Sequence, residues 1–239
     1  MRFVVISLDN ALGRTRRENL HLQEPYIWSL GVLPQDVPEF VRKRWYHGRY
    51  KPERSDRLMG AFTAHLRAWE LIASMGSPAM TVLEDDASLA RPVELNMPDD
   101  TITLLGGVFK GFGKWNGAEQ RAYARGGFVD LLREFRLGVN ELPKREDKRM
   151  RWVMAIAYHL APGVAAKLVA CVRATQKRTL TTPDAWLNKF TTHFVWPPPF
   201  VDQDSPSQCM TPGDECGSDW YCDNKMQRVL TRMHWLNKA

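Results

Sequence analysis

Residues 58–89, LMGAFTAHLRAWELIASMGSPAMTVLEDDASL, contain a helix pattern, a turn and a short apolar run in quick succession. Apolar side chains recur at spacings of four and three, which predicts an amphipathic helix of about four turns. These side chains are Phe62, Leu66, Trp69 and Ile72. Residues 76–78, GSP, end the helix. Residues 80–83 are too few for a helix, and their apolar character predicts a strand buried on both faces, as in a parallel sheet.

Three consecutive acids, Glu84, Asp85 and Asp86, follow this predicted strand directly. In open α/β sheets, ligands bind at the edge formed by the carboxyl ends of the strands. Carboxylates crowded at that edge repel one another unless a positive charge compensates them, and a hard divalent cation with oxygen ligands does so. A solvated acidic turn is the alternative, but the position directly after a buried strand favours a ligand site.

Two motifs in this stretch have a characteristic separation. Gly60, His65 and Trp69 lie on the predicted helix, and residues 83–87 read LEDDA. The pair resembles the signature region of glycosyltransferase family 25, the lipooligosaccharide-type transferases related to collagen galactosyltransferases. Members of that family carry a Gly-x-x-x-x-Ser-His-x-x-x-Trp helix followed by a strand that ends in Leu-Glu-Asp-Asp-Ala. Ala64 stands here where the family has Ser.

The resemblance implies a fold and a reaction. The fold is α/β, a GT-A-type Rossmann-like sheet with flanking helices in a single domain. The reaction is transfer of a sugar from a nucleotide sugar, most often a UDP-sugar, to an acceptor hydroxyl with inversion at the anomeric carbon. Mn²⁺ or Mg²⁺ would neutralise the leaving nucleotide, held by Asp86 and Asp85, while Glu84 faces the ribose of the donor. His65 would bind the pyrophosphate or assist the metal, although a structural role beside Trp69 fits equally well.

Other segments extend the resemblance. Residues 2–8 predict the first strand, and its exit resembles the family's nucleotide-binding turn through Ser7, Asp9 and Arg14, together with the neighbouring arginines 16 and 17. Residues 153–160 predict a strand that turns into a helix over 164–173. Thr182 and Pro183 predict a helix start, as N-cap and first helical residue. Asp184 resembles the acid of the family's Pro-x-Asp stretch and is the candidate catalytic base, although a carboxylate there also favours the helix dipole.

Bulk properties limit the classes of protein. The chain has 239 residues, a formal charge of +6 and a pI near 9.2. We expect one domain over 1–239, with a transferase core over 1–207 and a polar, cysteine-containing segment with a closing helix over 208–239. No run reaches the ~18 apolar residues that span a bilayer and no signal-peptide pattern opens the chain, so we expect a cytoplasmic protein.

The positive charge is concentrated in two segments, residues 42–57, where seven Lys or Arg oppose Glu53 and Asp56, and residues 110–151, where eleven oppose six acids. The first segment is the more informative. Aromatic residues interleave with these cations, a mixture that can grip phosphates while stacking bases or sugars. A solvated loop with its aromatics turned inward is the alternative. The candidate acceptor-binding residues are Arg42, Arg44, Trp45, Tyr46, Arg49 and Tyr50.

The acceptor has two interpretations at this point. The family most often modifies a lipooligosaccharide or other surface glycan. The basic segment also suits the backbone of nucleic acid, so a phage-type enzyme that glycosylates hydroxymethylated pyrimidines in duplex DNA fits nearly as well. Two other classes are weaker. A glycoside hydrolase needs two carboxylates across a cleft, and a non-catalytic nucleic-acid-binding module leaves the acids unexplained.

Several remaining segments are less specific. Residues 27–33, 101–105 and 193–196 predict strands, and residues 128–135 a helix. The glycine-rich residues 106–117 predict a mobile loop near the donor and match neither a Walker motif nor a dinucleotide fingerprint. Three clustered cysteines have spacings that are poor for zinc, which favours reduced thiols and leaves zinc or a disulfide as alternatives. They are Cys209, Cys216 and Cys222.

Overall fold

A computed structural model describes most of the chain up to residue 202. The described residues are 2–22, 25–46, 52–89, 96–106, 108–111, 136–142, 150–153, 155–176, 178–196 and 199–202. The helices are α1 (Ala11–Glu18), α2 (Glu39–Arg44), α3 (Pro52–Met75), α4 (Pro162–Ala174) and α5 (Pro183–Phe190), with a short 3-10 turn at Pro34–Asp36. The strands are β1 (Phe3–Ser7), β2 (Tyr26–Leu30), β3 (Met80–Glu84), β4 (Ala87–Leu89), β5 (Ile102–Leu104), β6 (Val108–Gly111), β7 (Gly138–Glu141), β8 (Met150–Val153), β9 (Ala157–Leu160), β10 (Thr191–Trp196) and β11 (Phe200–Asp202).

Seven of the described strands form one mixed sheet in the order β2-β1-β3-β9-β5-β10-β7. Strand β1 pairs in parallel with both β2 and β3, and β10 pairs in parallel with β5. Strand β9 lies between β3 and β5 and runs antiparallel to both, and β7 is antiparallel to β10. The prediction of a purely parallel environment for β3 is therefore wrong on one side. The α/β class, with helices flanking one sheet, is confirmed, and the architecture is consistent with a Rossmann-like fold.

Helix α3 is the main cover of this sheet. The predicted apolar stripe is confirmed, because Phe62, Trp69 and Ile72 are fully buried and Leu66 is almost so. They pack in one cluster with sheet residues from β1, β3, β9 and β5 and with α4. The helix is longer than predicted, at 24 residues. It ends where Gly76 takes a left-handed backbone conformation with φ of 71°, which glycine adopts without a steric cost.

The opposite face of the sheet carries a smaller core. Phe3, Val5 and Leu83 point to this side and pack with Leu20, which follows α1, and with Phe200 of β11. Strand β11 pairs antiparallel with β4, so a two-stranded ribbon lies directly after the acids of β3. Both faces of the sheet are thus buried at β3, as the apolar run predicted.

Most predicted elements are confirmed with shifted ends. The strands predicted over 2–8, 101–105 and 193–196 correspond to β1, β5 and β10, and the helix over 164–173 corresponds to α4. The strand predicted over 27–33 ends at Leu30. The single strand over 153–160 is wrong, because β8 and β9 are separate and belong to different sheets. Part of the predicted loop over 106–117 is strand β6, which pairs with β8.

Other predictions fall outside the described residues. They concern the helix over 128–135, the closing helix and the three clustered cysteines. Within the described part of the chain, no helix is both long and apolar enough to cross a membrane.

Gly60 allows α3 to approach the loop after β2 closely. A β-carbon at this position would lie 2.5 Å from the carbonyl oxygen of Val32. We expect Gly60→Ala to lower the free energy of unfolding by about 1–3 kcal/mol, because helix or loop must move. Gly163→Ala is the control, since nothing lies within 4 Å of its added carbon. It should change stability by at most ~1 kcal/mol. Equal losses in urea unfolding would contradict the proposed close approach.

Candidate functional site

The three acids do not share one environment. Successive side chains of a strand point to opposite faces, and Val82 and Leu83 accordingly belong to the two different cores. Glu84, the last residue of β3, continues on the face of Val82, towards α3. Asp85 turns the other way, towards α1. Strand alternation therefore divides the acid triplet between the two layers of the fold.

Asp85 is held by a buried ion pair. Its Oδ1 lies 3.1 Å from Nη1 of Arg16, and Oδ2 accepts a hydrogen bond of 2.7 Å from the hydroxyl of Ser7. Both side chains of the ion pair are nearly inaccessible, with 4% of Arg16 and 10% of Asp85 exposed. Burial raises the pKa of Asp85, while the Ser7 hydroxyl and the Arg16 guanidinium oppose that rise. The same guanidinium lies 3.9 Å from Asp86. A protein cation thus already compensates the crowded carboxylates.

Glu84 contacts α3 through His65. The Nε2 of His65 is 2.9 Å from Oε1 of Glu84, and its Nδ1 is 2.8 Å from the hydroxyl of Tyr158 on β9. The indole nitrogen of Trp69 donates to the same hydroxyl over 2.7 Å. Burial raises the pKa of Tyr158 well above its ordinary value, although its hydrogen bond with Trp69 opposes this. The two motifs singled out in the sequence therefore meet in one hydrogen-bonded chain that ends on Glu84.

Asp184 lies on the first turn of α5. Its side chain is only partly exposed, and burial raises the pKa of its carboxyl. Hydrogen bonds from the Thr182 hydroxyl and the Ala185 amide counteract the rise, whereas the negative charge of Glu84 adds to it. Thr182 is the N-cap residue, as predicted, but its side chain makes no capping bond to the helix backbone. The charge of Glu84 thus contributes to the raised pKa of Asp184, after the larger effect of burial.

No protein-family model matches the chain, and none of the curated proteins is significantly similar to it.

The oxygen ligands suit a hard cation in type, but not as a complete cage. Among the described residues, no three His, Cys, Asp or Glu side chains are grouped to hold a metal. Mg²⁺ commonly binds through one or two carboxylates, with substrate phosphates and water supplying the rest. The side chain of Asp86 is 15% exposed and that of Asp85 10%, and Asp85 is bound to Arg16 and Ser7. The arrangement therefore fits an ion that arrives with a phosphate ligand.

The predicted donor-binding turn after β1 divides into a buried and an exposed part. Ser7 is 2% exposed. Its hydroxyl donates a hydrogen bond to Asp85 and accepts one of 2.6 Å from Arg17. Its direct contact is therefore with the protein, and it positions Asp85. Asp9 and Arg14 are well exposed and only 3.7 Å apart, an ion pair of little energetic weight. These two side chains remain accessible to a ligand.

In the described part of the basic segment, residues 42–46 and 52–57, two arginines bind backbone carbonyls. Arg42 donates to the carbonyl oxygens of Pro34 and Val37, and Arg44 to those of Val172 and Arg173 at the end of α4. Lys and Arg side chains that satisfy orphan carbonyls at a helix end are used structurally.

Trp45 differs most from its predicted role. It is fully buried against Phe62, with ring centroids 6.0 Å apart, so its ring cannot stack on an acceptor. Its aromatic ring turns inward, as the alternative interpretation had it. Tyr46 is 45% exposed. Arg49 and Tyr50 lie outside the described residues.

Sequence reasoning missed three contributors to the site. Arg16 was visible only as one of several arginines, although it falls one helical turn after Gly13 on the buried side of α1. Tyr158 was predicted only as part of a strand, with no role for its hydroxyl. Trp28 on β2 donates to the Ser7 carbonyl, and the Arg17 guanidinium lies 4.1 Å from its ring centre. The useful signal was periodicity on α1, which places Gly13 and Arg16 on one face.

Removal of Arg16 should destabilise the protein in a pH-dependent way. Because the folded-state pKa of Asp85 is raised, ionisation of this carboxyl costs stability as pH rises through that value. At about pH 8, Arg16→Met should lower the free energy of unfolding by about 3–5 kcal/mol, since a buried carboxylate loses its cation. Near pH 4.5 the loss should be smaller, because the pKa rises further without Arg16 and Asp85 takes up a proton.

Urea unfolding at both pH values measures this difference. Arg14→Met is the matched control, because Arg14 is 60% exposed. A loss for Arg16→Met that does not change with pH, or that Arg14→Met equals, would contradict the buried pair.

Proposed function

We propose that the chain is a metal-dependent inverting glycosyltransferase of GT-A type that moves a sugar from a UDP-sugar to a hydroxyl of a glycan acceptor. The observation that carries this proposal is the 2.9 Å contact between His65 and Glu84. It joins the two motifs that resemble family 25 at the carboxyl end of β3, where an α/β sheet binds ligands. Packing alone would not require these two residues to meet at that edge through polar groups.

The residues of the chain divide the work of binding. Glu84, with 31% of its side chain exposed, accepts a hydrogen bond from a hydroxyl of the donor ribose. Asp9 and Arg14 flank the nucleotide at the end of β1. Asp85 does not touch the donor in this scheme. Its pair with Arg16 fixes the turn that carries Asp86.

Asp86 would hold Mn²⁺ or Mg²⁺, together with oxygens of the donor diphosphate. When bound, such an ion stabilises the negative charge that develops on the departing nucleotide. The Arg16 guanidinium keeps this turn from accumulating three uncompensated negative charges before the donor arrives.

Asp184 is the proposed catalytic base. The acceptor oxygen attacks the anomeric carbon as the bond to the diphosphate breaks, and the hydroxyl proton passes to the Asp184 carboxylate. A base works best when its pKa is close to the operating pH. Burial and the charge of Glu84 move the pKa of Asp184 in that direction.

A glycan is favoured over DNA as the acceptor. The argument for DNA rested on a basic arm with stacking aromatics. Arg42 and Arg44 instead satisfy backbone carbonyls, and Trp45 is buried. The acceptor named by the family resemblance is therefore retained, and duplex DNA becomes an outcome of the test.

The donor half can be measured without knowing the acceptor. Incubation with a panel of UDP-sugars and Mn²⁺ should release UDP with at least one sugar, and EDTA should abolish the release. Asp86→Asn should reduce it by about a hundredfold or more, as expected for a lost charge-stabilising group. A glycan mixture should accelerate UDP release, and hydroxymethylated duplex DNA should not. Acceleration by DNA alone would overturn the acceptor. The proposed transferase activity would be wrong if no UDP-sugar releases UDP. It would also be wrong if free sugar is released from an oligosaccharide without metal.

Replacement of the base should remove transfer without removing the donor. Asp184→Asn should lower the rate of transfer by about 10²–10⁴, the usual contribution of a general base, while UDP still binds. In the parent protein, kcat/KM should fall as pH decreases through the raised pKa of Asp184, because only the ionised carboxylate accepts the proton. Asp100→Asn, at an exposed position, is the control. Retention of more than a few per cent of transfer by Asp184→Asn would contradict the assignment.

A further inference from the structure

Two residues beneath the site are fully buried, so a ligand cannot contact them directly. Trp69 and Tyr158 are fully buried, and their polar atoms are joined to His65 and through it to Glu84. We propose that Tyr158 is a positioning residue that keeps the imidazole proton of His65 on Nε2, so that His65 donates to Glu84, and that Trp69 orients the Tyr158 hydroxyl for this role. The direction of these bonds is independent of the proposed function; only the ligand of Glu84 rests on it.

The direction of the chain follows from what each group can do. An indole N–H can only donate, so the Tyr158 oxygen accepts from Trp69 over 2.7 Å. The hydroxyl proton of Tyr158 then needs an acceptor. Among the described residues, the other hydrogen-bond partner of that hydroxyl is Nδ1 of His65, at 2.8 Å. Tyr158 therefore donates to His65, and Nδ1 carries no proton.

An imidazole whose Nδ1 is unprotonated carries its proton on Nε2. The Nε2 of His65 lies 2.9 Å from Oε1 of Glu84, so His65 donates to that carboxylate. In the opposite tautomer Nε2 would carry no proton, and it would face another acceptor, Oε1 of Glu84. An imidazolium would leave the Tyr158 proton without a partner in a side chain that is 0% exposed. Buried donors without acceptors are strongly disfavoured.

The consequence falls on Glu84. His65 orients one carboxylate oxygen of Glu84 with a hydrogen bond. Outer partners that fix a tautomer in this way orient the group that meets the ligand. The second oxygen of Glu84 can then accept from a ligand hydroxyl, which suits the ribose of a nucleotide. Trp69 locks the hydroxyl rotor of Tyr158, because its N–H occupies one lone pair of the oxygen.

The tautomer can be measured directly on the full chain. Long-range ¹H–¹⁵N NMR of protein labelled at histidine distinguishes the two ring nitrogens, and His65→Gln assigns the signal among the six histidines. We expect His65 to be neutral, with Nε2 protonated and Nδ1 bare. Tyr158→Phe should shift the signal of Nδ1, because that nitrogen loses its hydrogen-bond donor. Trp69→Phe should preserve the parent pattern, because it removes a donor to Tyr158 and leaves the Tyr158 donor to His65.

Two results would overturn the proposal. One is a parent protein in which His65 is protonated on Nδ1 or on both nitrogens. The other is a Tyr158→Phe variant whose His65 signals equal those of the parent. The parent spectrum alone decides the first, so the test does not depend on the folding of a variant.

A binding measurement separates this proposal from the transferase. Titration calorimetry with UDP and Mn²⁺ should show affinity weakened about tenfold or more by Tyr158→Phe, the size typical of a lost outer partner, and less by Trp69→Phe. Equal affinity in the parent and Tyr158→Phe would overturn the role given to Tyr158. If the parent binds no UDP, the proposed function fails, while the NMR result still decides the direction of the hydrogen bonds.

Discussion

The burial of α3 against the sheet is the constraint on which the rest of the structure depends. The helix contributes apolar rings and the polar ring of His65 to one surface, so packing and chemistry cannot be separated. Fully burying each large apolar side chain of its stripe stabilises the fold by about 1.5–3 kcal/mol. The same packing also fixes the position of His65 relative to the end of β3. A shift of one residue along the helix would rotate its buried face by about 100° and carry His65 away from Glu84.

The second constraint is the alternation of side chains at the end of β3. Three neighbouring carboxylates on one surface would repel strongly in a partly buried setting. By turning Glu84 towards α3 and Asp85 towards α1, the strand gives each acid its own partner, His65 for one and Arg16 for the other. This separation reduces the repulsion among the three carboxylates before any ligand binds. It also explains why the first and second acids have different work to do.

Much of this could be predicted from the sequence, and the limits have physical causes. Helix α3 and strand β3 were predictable because their apolar periodicity is local and strong. The position of the acids followed from the strand before them. The partners of the acids were not predictable, because Arg16 and Tyr158 come from elements 69 and 74 residues away from Asp85 and Glu84 along the chain. The prediction that Trp45 contacts an acceptor was wrong, because the sequence alone does not show whether an aromatic residue among cations faces the core or solvent.

The place of β9 has a consequence for how the molecule assembles. This strand enters between β3 and β5, so neighbouring strands in space are far apart in the chain, with Met80 opposite Leu160. Closing such a long loop costs entropy before any contact repays it, and pairings of this kind form slowly. During synthesis, β1, β2 and β3 emerge with one edge of β3 open until β9 has been made. Tyr158 arrives on that late strand, so the polar chain beneath the acids is completed only when the sheet closes. Much of the core also comes from β9 and the elements after it, so a nascent chain completes its core and its site together.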